Sequence, residues 1–284
     1  MTATQGRLFV LAAAFLFSTG GAAIKAVSLD GWQVAGMRSM VAAAAVLLIF
    51  PDSRKRWDLH VIRTAVAYAA TLILFVQANK LTTAAHVIFL QSTAPFYLLL
   101  AGPWLLNERL RRADLWLLIP VAAGMLLFFA GQPVLPTAPN PARGNLLALA
   151  AGVSWAFTLA GIRHAEKAGS AAGSGMGIVA AGNLLAALFC LPVMKAEFPP
   201  AADLVLLLYL GVVQVALAYV FLTRGLRVVQ ALEGSLLLLV EPAMNPLWAW
   251  LFHNEKPSVA ALAGGVLVLG ASLMKTLSGG RQAA

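Results

Sequence analysis

Charge is scarce in this sequence. Only 11% of its residues are Asp, Glu, Lys or Arg, against 61% hydrophobic ones, whereas soluble domains carry about 25% charged side chains. Too few polar groups exist to clothe a globule facing water, which excludes a cytoplasmic enzyme. Disorder needs the opposite composition and is excluded with it. Cysteine is nearly absent: Cys190 stands alone in an apolar run, without a partner for a disulfide or a thiolate metal site, and reads as packing. No H-E-x-x-H, G-x-S-x-G or G-x-x-x-x-G-K-[ST] pattern occurs, so the motifs of metalloprotease, serine-hydrolase and phosphate-cradle chemistry are missing. No polar stretch is long enough for an ATPase domain, and no loop resembles the ring of carbonyls or charges that filters ions in a channel. Neither a cofactor nor a metal is expected.

What the sequence has instead is long apolar runs. A helix crossing a hydrocarbon layer of about 30 Å needs about 20 mostly apolar residues. Ten runs answer to that, over 7–27, 32–50, 62–81, 84–106, 115–131, 144–163, 172–194, 203–223, 231–252 and 258–277. Stretches such as Leu236-Leu237-Leu238-Leu239-Val240 lack the in–out alternation of barrel strands. The expectation is an all-α integral membrane protein in a lipid bilayer.

The net charge of +9 is a topology signal and implies no nucleic-acid partner. With the N-terminus in the cytoplasm, the inner side receives Arg7, the loop of Arg54, Lys55, Arg56 and Arg63, then Arg109, Arg111, Arg112, Arg163, Lys167, Arg224, Arg227, Lys275 and Arg281. Only Lys25, Arg38, Lys80, Arg143, Lys195 and Lys256 fall to the outer side and its helix ends. Short basic loops stay inside, so both termini are expected in the cytoplasm.

The chain is also duplicated. Gly6-Arg7-Leu8 through Lys25 to Gly31 aligns with Gly144-Asn145-Leu146 through Arg163 to Gly169 at one offset, and Pro95 and Asn107-Glu108 align with Pro242 and Asn254-Glu255 at a slightly larger one. The first run therefore reads as a span of the repeat, not a signal peptide. The division is a first five-helix repeat at 1–132, a Pro-rich connector at 133–143 and a second five-helix repeat at 144–284. Five spans is an odd number, so the second copy begins on the opposite side of the membrane. Inverted repeats of this kind build many secondary transporters, with the substrate site near the midplane between halves.

Lys25 at the end of the first run, Arg38 early in the second, Ala94-Pro95 to Asn107-Glu108 in the fourth and Glu241-Pro242 to Asn254-Glu255 in the ninth make the chain resemble EamA-type transporters of the drug/metabolite transporter superfamily, over nearly its whole length. Within that family it is most similar to the YddG-type exporters of aromatic and other amino acids, which are also associated with methyl viologen efflux. The resemblance implies a ten-span carrier of the bacterial inner membrane, exporting amino acids or similar small metabolites by alternating access, and expected as a monomer. The alternative is a broad-specificity efflux carrier for drugs or organic cations such as methyl viologen.

Polar and aromatic residues at helical spacing mark the expected cavity faces. They are Phe17 and Ser18; Tyr68, Thr71, Phe75 and Asn79; Thr93 and Tyr97; Trp155 and Thr158; and Asn245 and Trp248. Phe17 and Trp155 are equivalent in the two copies and read as paired aromatic walls. A carboxylate such as Glu241 costs about 2.5–3.5 kcal/mol in mid-span, which points to proton coupling, to a substrate ammonium, or to backbone freed by Pro242. His86 reads as a proton shuttle or a local cap, and Arg38 as a carboxylate ligand or a side chain snorkelling to the outer interface. Pro95 and Pro242, matched in mid-span, read as hinges. Gly169, Gly173 and Gly177 suggest close helix approach, and Asn107-Glu108 and Asn254-Glu255 surface caps.

Overall fold

The computed structural model describes residues 1–55, 57–106, 112–130, 138–167, 174–195, 198–253 and 259–280. Each of the ten apolar runs is helical there. The first holds α1 (Ala3–Ser18) and α2 (Gly20–Ala26), the second α3 (Gly31–Ile49), the third α4 (Leu59–Leu81). The fourth holds α5 (Ala84–Gln91) and α6 (Ala94–Leu106), the fifth α7 (Arg112–Ala130), the sixth α8 (Pro141–Lys167) and the seventh α9 (Ser174–Cys190). The eighth is α10 (Ala201–Leu208), a π-helical stretch Tyr209–Leu217 and α11 (Ala218–Leu226). The ninth holds α12 (Ala231–Leu237) and α13 (Val240–His253), and the tenth α14 (Val259–Gly280). Seven stretches are long and apolar enough to cross a membrane, and Leu115–Gly124 and Leu262–Ala271 are shorter apolar helices among the described residues.

Local chemistry sets the helix starts. Thr2 and Asp30 form capping boxes with Gln5 and Gln33, and the side chains of Asp58 and Thr83 accept from the amides of Val61 and His86. Each satisfies a first-turn donor that has no partner inside its helix. Packing then follows the rule for lipid. Leu48, Leu100, Trp104, Trp116, Leu146, Phe189 and Val205 are exposed, while Ala13, Ala14, Ala42, Ala65, Ala148, Ala151, Ala180 and Ala181 are buried. Lipid tails are as apolar as leucine, so small residues go to the helix interfaces, where they let backbones approach. A Cβ on Gly182 would run into the Tyr68 ring and lie 3.0 Å from the Ala65 carbonyl, and one on Gly124 would lie 2.7 Å from the Gly264 carbonyl. Gly177 is different: a Cβ there meets nothing nearer than 3.5 Å, so it makes no close approach. Gly169, Gly173, Asn107-Glu108, Asn254-Glu255, Arg56, Arg109, Arg111, Lys256, Arg281 and residues 133–137 of the connector lie outside the described residues.

The two halves interlock. α4 lies along α8 while α1 lies along α11, and α3 packs on α9 as α7 packs on α14. Under the sequence repeat the first two contacts exchange with each other, and each of the last two maps onto itself.

The expected mid-span kinks are breaks. In the fourth run the helix stops at Gln91 and restarts at Ala94; in the ninth it stops at Leu237 and restarts at Val240. Tight bonds bridge both gaps, Thr93 N–H to Leu90 O (3.3 Å) in one and Leu239 N–H to Leu236 O (3.3 Å) in the other. Pro95 and Pro242 fall in the first turn of the restarted helix, where a missing N–H costs nothing. Ser92 and Thr93 hydroxyls donate to Ile88 and Leu90 carbonyls at 2.6 Å, satisfying acceptors near the break.

Candidate functional site

Where the halves meet, beside both breaks, lies a cavity. Phe17, Arg38, Thr71, Leu72, Phe75 and Gln91 from the first half face Trp155, Gln214, Val215, Tyr219 and Glu241 from the second. A smaller recess continues from it between the two breaks, past Ser92, Ala94, Pro95, Ser235, Leu238 and Leu239, sharing Gln91, Trp155 and Glu241. The main cavity leaves ≈ 40 Å³ for the centres of water molecules. About 10–15 Å³ suffices for one water, so a few waters fit and a metabolite needs the walls to part.

Its aromatic side is an edge-to-face cluster. The rings of Phe17 and Trp155 stand 6.0 Å apart at 89°, and Tyr219 meets them at 5.1 and 6.1 Å. The equivalent aromatics of the two copies thus touch. Behind them, Tyr68 packs 4.7 Å from Tyr219, and its hydroxyl accepts from Asn183 Nδ2 at 3.1 Å.

The polar side brings together one cation, one carboxylate and two amides. Arg38 is only 2% exposed, so its side chain does not snorkel to the outer interface: the guanidinium is buried against the cavity. Its Nη2 donates to Leu72 O at 3.3 Å, and its Nε has no partner among the described residues. Gln214 sits in the π-helical stretch with a buried, unpartnered Oε1. Wider turns of this kind displace side chains from the ordinary helical face and recur at functional sites. Glu241, half-buried on the part of the wall that the second half contributes, donates its backbone N–H to Leu238 O at 2.9 Å, while its carboxylate has no hydrogen bond to a described residue, the backbone beside Pro242 included.

Several expected cavity residues lie elsewhere. Ser18 Oγ donates to Phe15 O and accepts from Trp248 Nε1 at 2.8 Å, a contact joining α1 to α13. Thr71 reaches the cavity, yet its hydroxyl donates to Ala67 O within its own helix, as Thr158 does to Ser154 O, and the two oxygens lie 3.4 Å apart. Tyr68 stands behind the wall, and Asn79 donates to Phe75 O of its own helix. Thr93 donates to Leu90 O; Tyr97 is half-buried against the core. His86 pairs with the Thr83 hydroxyl that caps α5, away from the cavity, and the side chain of Asn245 lies outside the described residues. Single-helix spacing did not single out Leu72, Gln91, Gln214, Val215 or Tyr219. Leu72 and Tyr219 occupy equivalent positions at the larger repeat offset, which is the signal that would have found them. Among the described residues, no group of three or more His, Cys, Asp or Glu side chains is placed to hold a metal ion.

Comparison with known proteins follows the same division into halves. A model of the "EamA-like transporter family" matches the chain twice, over residues 4–130 and 142–277. The chain is 32% identical over 189 residues to the pseudopaline exporter CntI of Pseudomonas aeruginosa strain UCBPP-PA14, and equally so to its counterpart in strain PAO1. Each match covers 65% of this chain and 63% of the relative, so the likeness spans under two thirds of the length of the curated relatives. A solved crystal structure at 20% identity superposes with a TM-score of 0.75, covering 98% of this chain and 99% of the other, and shows the fold.

Proposed function

This chain belongs to the EamA-like transporter family, multi-pass membrane carriers and not enzymes, and from that premise we propose that it exports amino acids, aromatic and other neutral ones, or similar small metabolites across the bacterial inner membrane. The architecture we infer is ten spans in an inverted repeat of five and five, with both termini in the cytoplasm. The paired contacts of α4 with α8 and α1 with α11 support it, as does the double match of the family model.

The observation that carries the proposal is the cavity itself. It lies between halves, at matched helix breaks, and its walls bear Arg38 and Glu241 unpaired with each other. Two similar halves tilting about the breaks would open it to one leaflet and then the other, which is alternating access. Glu241 is the coupling group in this reading: a carboxylate facing a wet cavity in mid-membrane can take up and release a proton with each cycle. Export, as opposed to import, follows the family resemblance and the relatives named as exporters. A second reading, efflux of organic cations such as methyl viologen, is favoured by the aromatic trio beside Glu241, since ring faces attract cations.

The test is uptake and counterflow in proteoliposomes with amino acids, nucleosides, organic cations and pseudopaline, each with and without a pH gradient. Saturable amino-acid counterflow is expected, with Glu241→Gln abolishing the gradient's effect. Transport and pH dependence both intact in Glu241→Gln would end the coupling role; a preference for methyl viologen would favour the second reading.

A further inference from the structure

We propose that Arg38 anchors a carboxylate of the transported molecule, so that the carrier accepts amino-acid-like acids and refuses cations of similar size that lack one. This deepens the exporter reading above and rests on it.

The argument starts from what Arg38 lacks. A buried guanidinium is costly unless it is paired or fully hydrogen-bonded. Arg38 is 2% exposed and has five N–H donors. Among the described residues the ion pairs are Arg7–Glu233, Lys55–Asp52 and Arg227–Glu166, and none involves Arg38. Its one hydrogen bond to a described residue runs to Leu72 O at 3.3 Å, and Nε is left without an acceptor. Tyr68, Tyr219 and Cys190 are its titratable neighbours, and the carboxylate that shares its cavity, Glu241, makes no ion pair with it. A cation with no ion pair to a described residue and with a spare donor therefore borders the cavity at the junction of the halves.

A carboxylate answers that arrangement. It takes the guanidinium fork in the planar, two-bond geometry that arginine favours. Glu241 and the unpartnered Gln214 Oε1 lie on the same cavity, and both accept hydrogen bonds from an ammonium. A zwitterion then adds no net charge to a low-dielectric site, whereas an organic cation without a carboxylate leaves the Arg38 fork unpaired.

The test uses the full-length protein in proteoliposomes, with counterflow of phenylalanine and leucine challenged by their decarboxylated amines, by their deaminated acids and by methyl viologen. In the wild type, the amino acids compete and the amines do not. Arg38→Gln raises KM for the amino acids about ten- to a hundredfold, and Arg38→Lys recovers part of it, as a point charge without the fork. Melting curves in detergent guard against simple misfolding: phenylalanine shifts the wild-type melting temperature upward, and that shift disappears in Arg38→Gln and shrinks in Arg38→Lys. Amines competing as well as their parent amino acids overturn the anchor while leaving the carrier standing. So does a loss of flux in Arg38→Gln with KM and the ligand-dependent melting shift unchanged. No saturable flux of any compound in the wild type overturns the carrier reading, and the anchor falls with it.

Discussion

At one end of the bundle, Arg163 Nη1 donates to the Leu226 and Arg227 carbonyls, both at 2.8 Å, and Arg227 Nε meets Glu166 Oε2 at 2.6 Å. In the equivalent positions of the other half, Lys25 Nζ donates to Thr82 O at 3.0 Å and Lys80 Nζ to Val27 O at 2.7 Å. The device is the same: the first and third runs of each half end side by side, and each end receives a basic side chain from the other. Last-turn carbonyls lack partners and sit at the negative end of the helix dipole, so cations belong there. The chemistry differs. Arginines, one of them on the Glu166 carboxylate, serve the second half; lysines donating to carbonyls serve the first, with Asp203 and Asp30 near Lys80. The contrast repeats between halves, where Arg7 on α1 pairs with Glu233 on α12 at 2.6 Å, while the matching residues of the other copy are Asn145 and His86. Symmetry of the fold places a basic cap at each end without fixing what it meets, and among the described residues the close ion pairs Arg7–Glu233 and Arg227–Glu166 belong to one end.

The largest expected effect breaks the ionic contact between halves. Arg7 and Glu233 have side chains 5% and 8% exposed, and removing one partner of a buried pair costs about 3–5 kcal/mol by leaving the other charge stranded. Glu233→Ala is expected to lose that much in denaturant unfolding in mixed micelles, whereas His86→Ala at the other end loses about 1 kcal/mol. Equal losses would erase the distinction between the ends. Replacing both Arg7 and Glu233 by methionine is expected to restore most of the stability, since an apolar pair of similar volume removes the stranded charge.

A second contrast compares the clasps. Arg163 is 8% exposed and bonds two carbonyls, while Lys25 is half-buried. Hydrogen bonds from charged donors are worth about 1.5–3 kcal/mol when buried, so Arg163→Gln is expected to cost about 2 kcal/mol and Lys25→Gln about half of that, read by the same unfolding measurement. A reversed order would mean that neither burial nor the number of carbonyls capped sets the cost of losing a clasp.

These differences explain what was legible beforehand. The ten helical runs were, because a helix in lipid needs only sustained apolarity; so was the duplication, from the matched prolines and basic residues. Trp155 and Phe17 were paired correctly because the repeat supplied the second position. The stripes on α4 and α13 misled where another helix claimed the side chain: Tyr68 by Asn183, Trp248 by Ser18. Single-helix periodicity sees one partner only. The π-helical stretch of the eighth run shifts the face of every later residue, and ordinary spacing could not carry a reader from Gln214 to Tyr219. Arg38 looked equally suited to the interface and to the interior because its depth depends on α4, and on the Leu72 carbonyl in particular.

The finest test separates two ways of holding one arginine. In the Arg227–Glu166 pair the arginine side chain is 49% exposed and the glutamate 6%. A half-exposed arginine is screened by water and salt, which limits such a pair to about 1 kcal/mol or less. The burial of Glu166 makes the two removals unequal. Glu166→Gln frees an arginine that hydrates at once, and is expected to cost little. Arg227→Gln leaves a buried carboxylate facing a weaker donor, and is expected to cost about 1 kcal/mol. Raising salt to about 1 M shortens the screening length to about 3 Å and is expected to narrow the gap between the two variants. If Glu166→Gln proves the costlier of the two, the carboxylate is held by its own surroundings, and the second half owes its clasp to Arg163 alone.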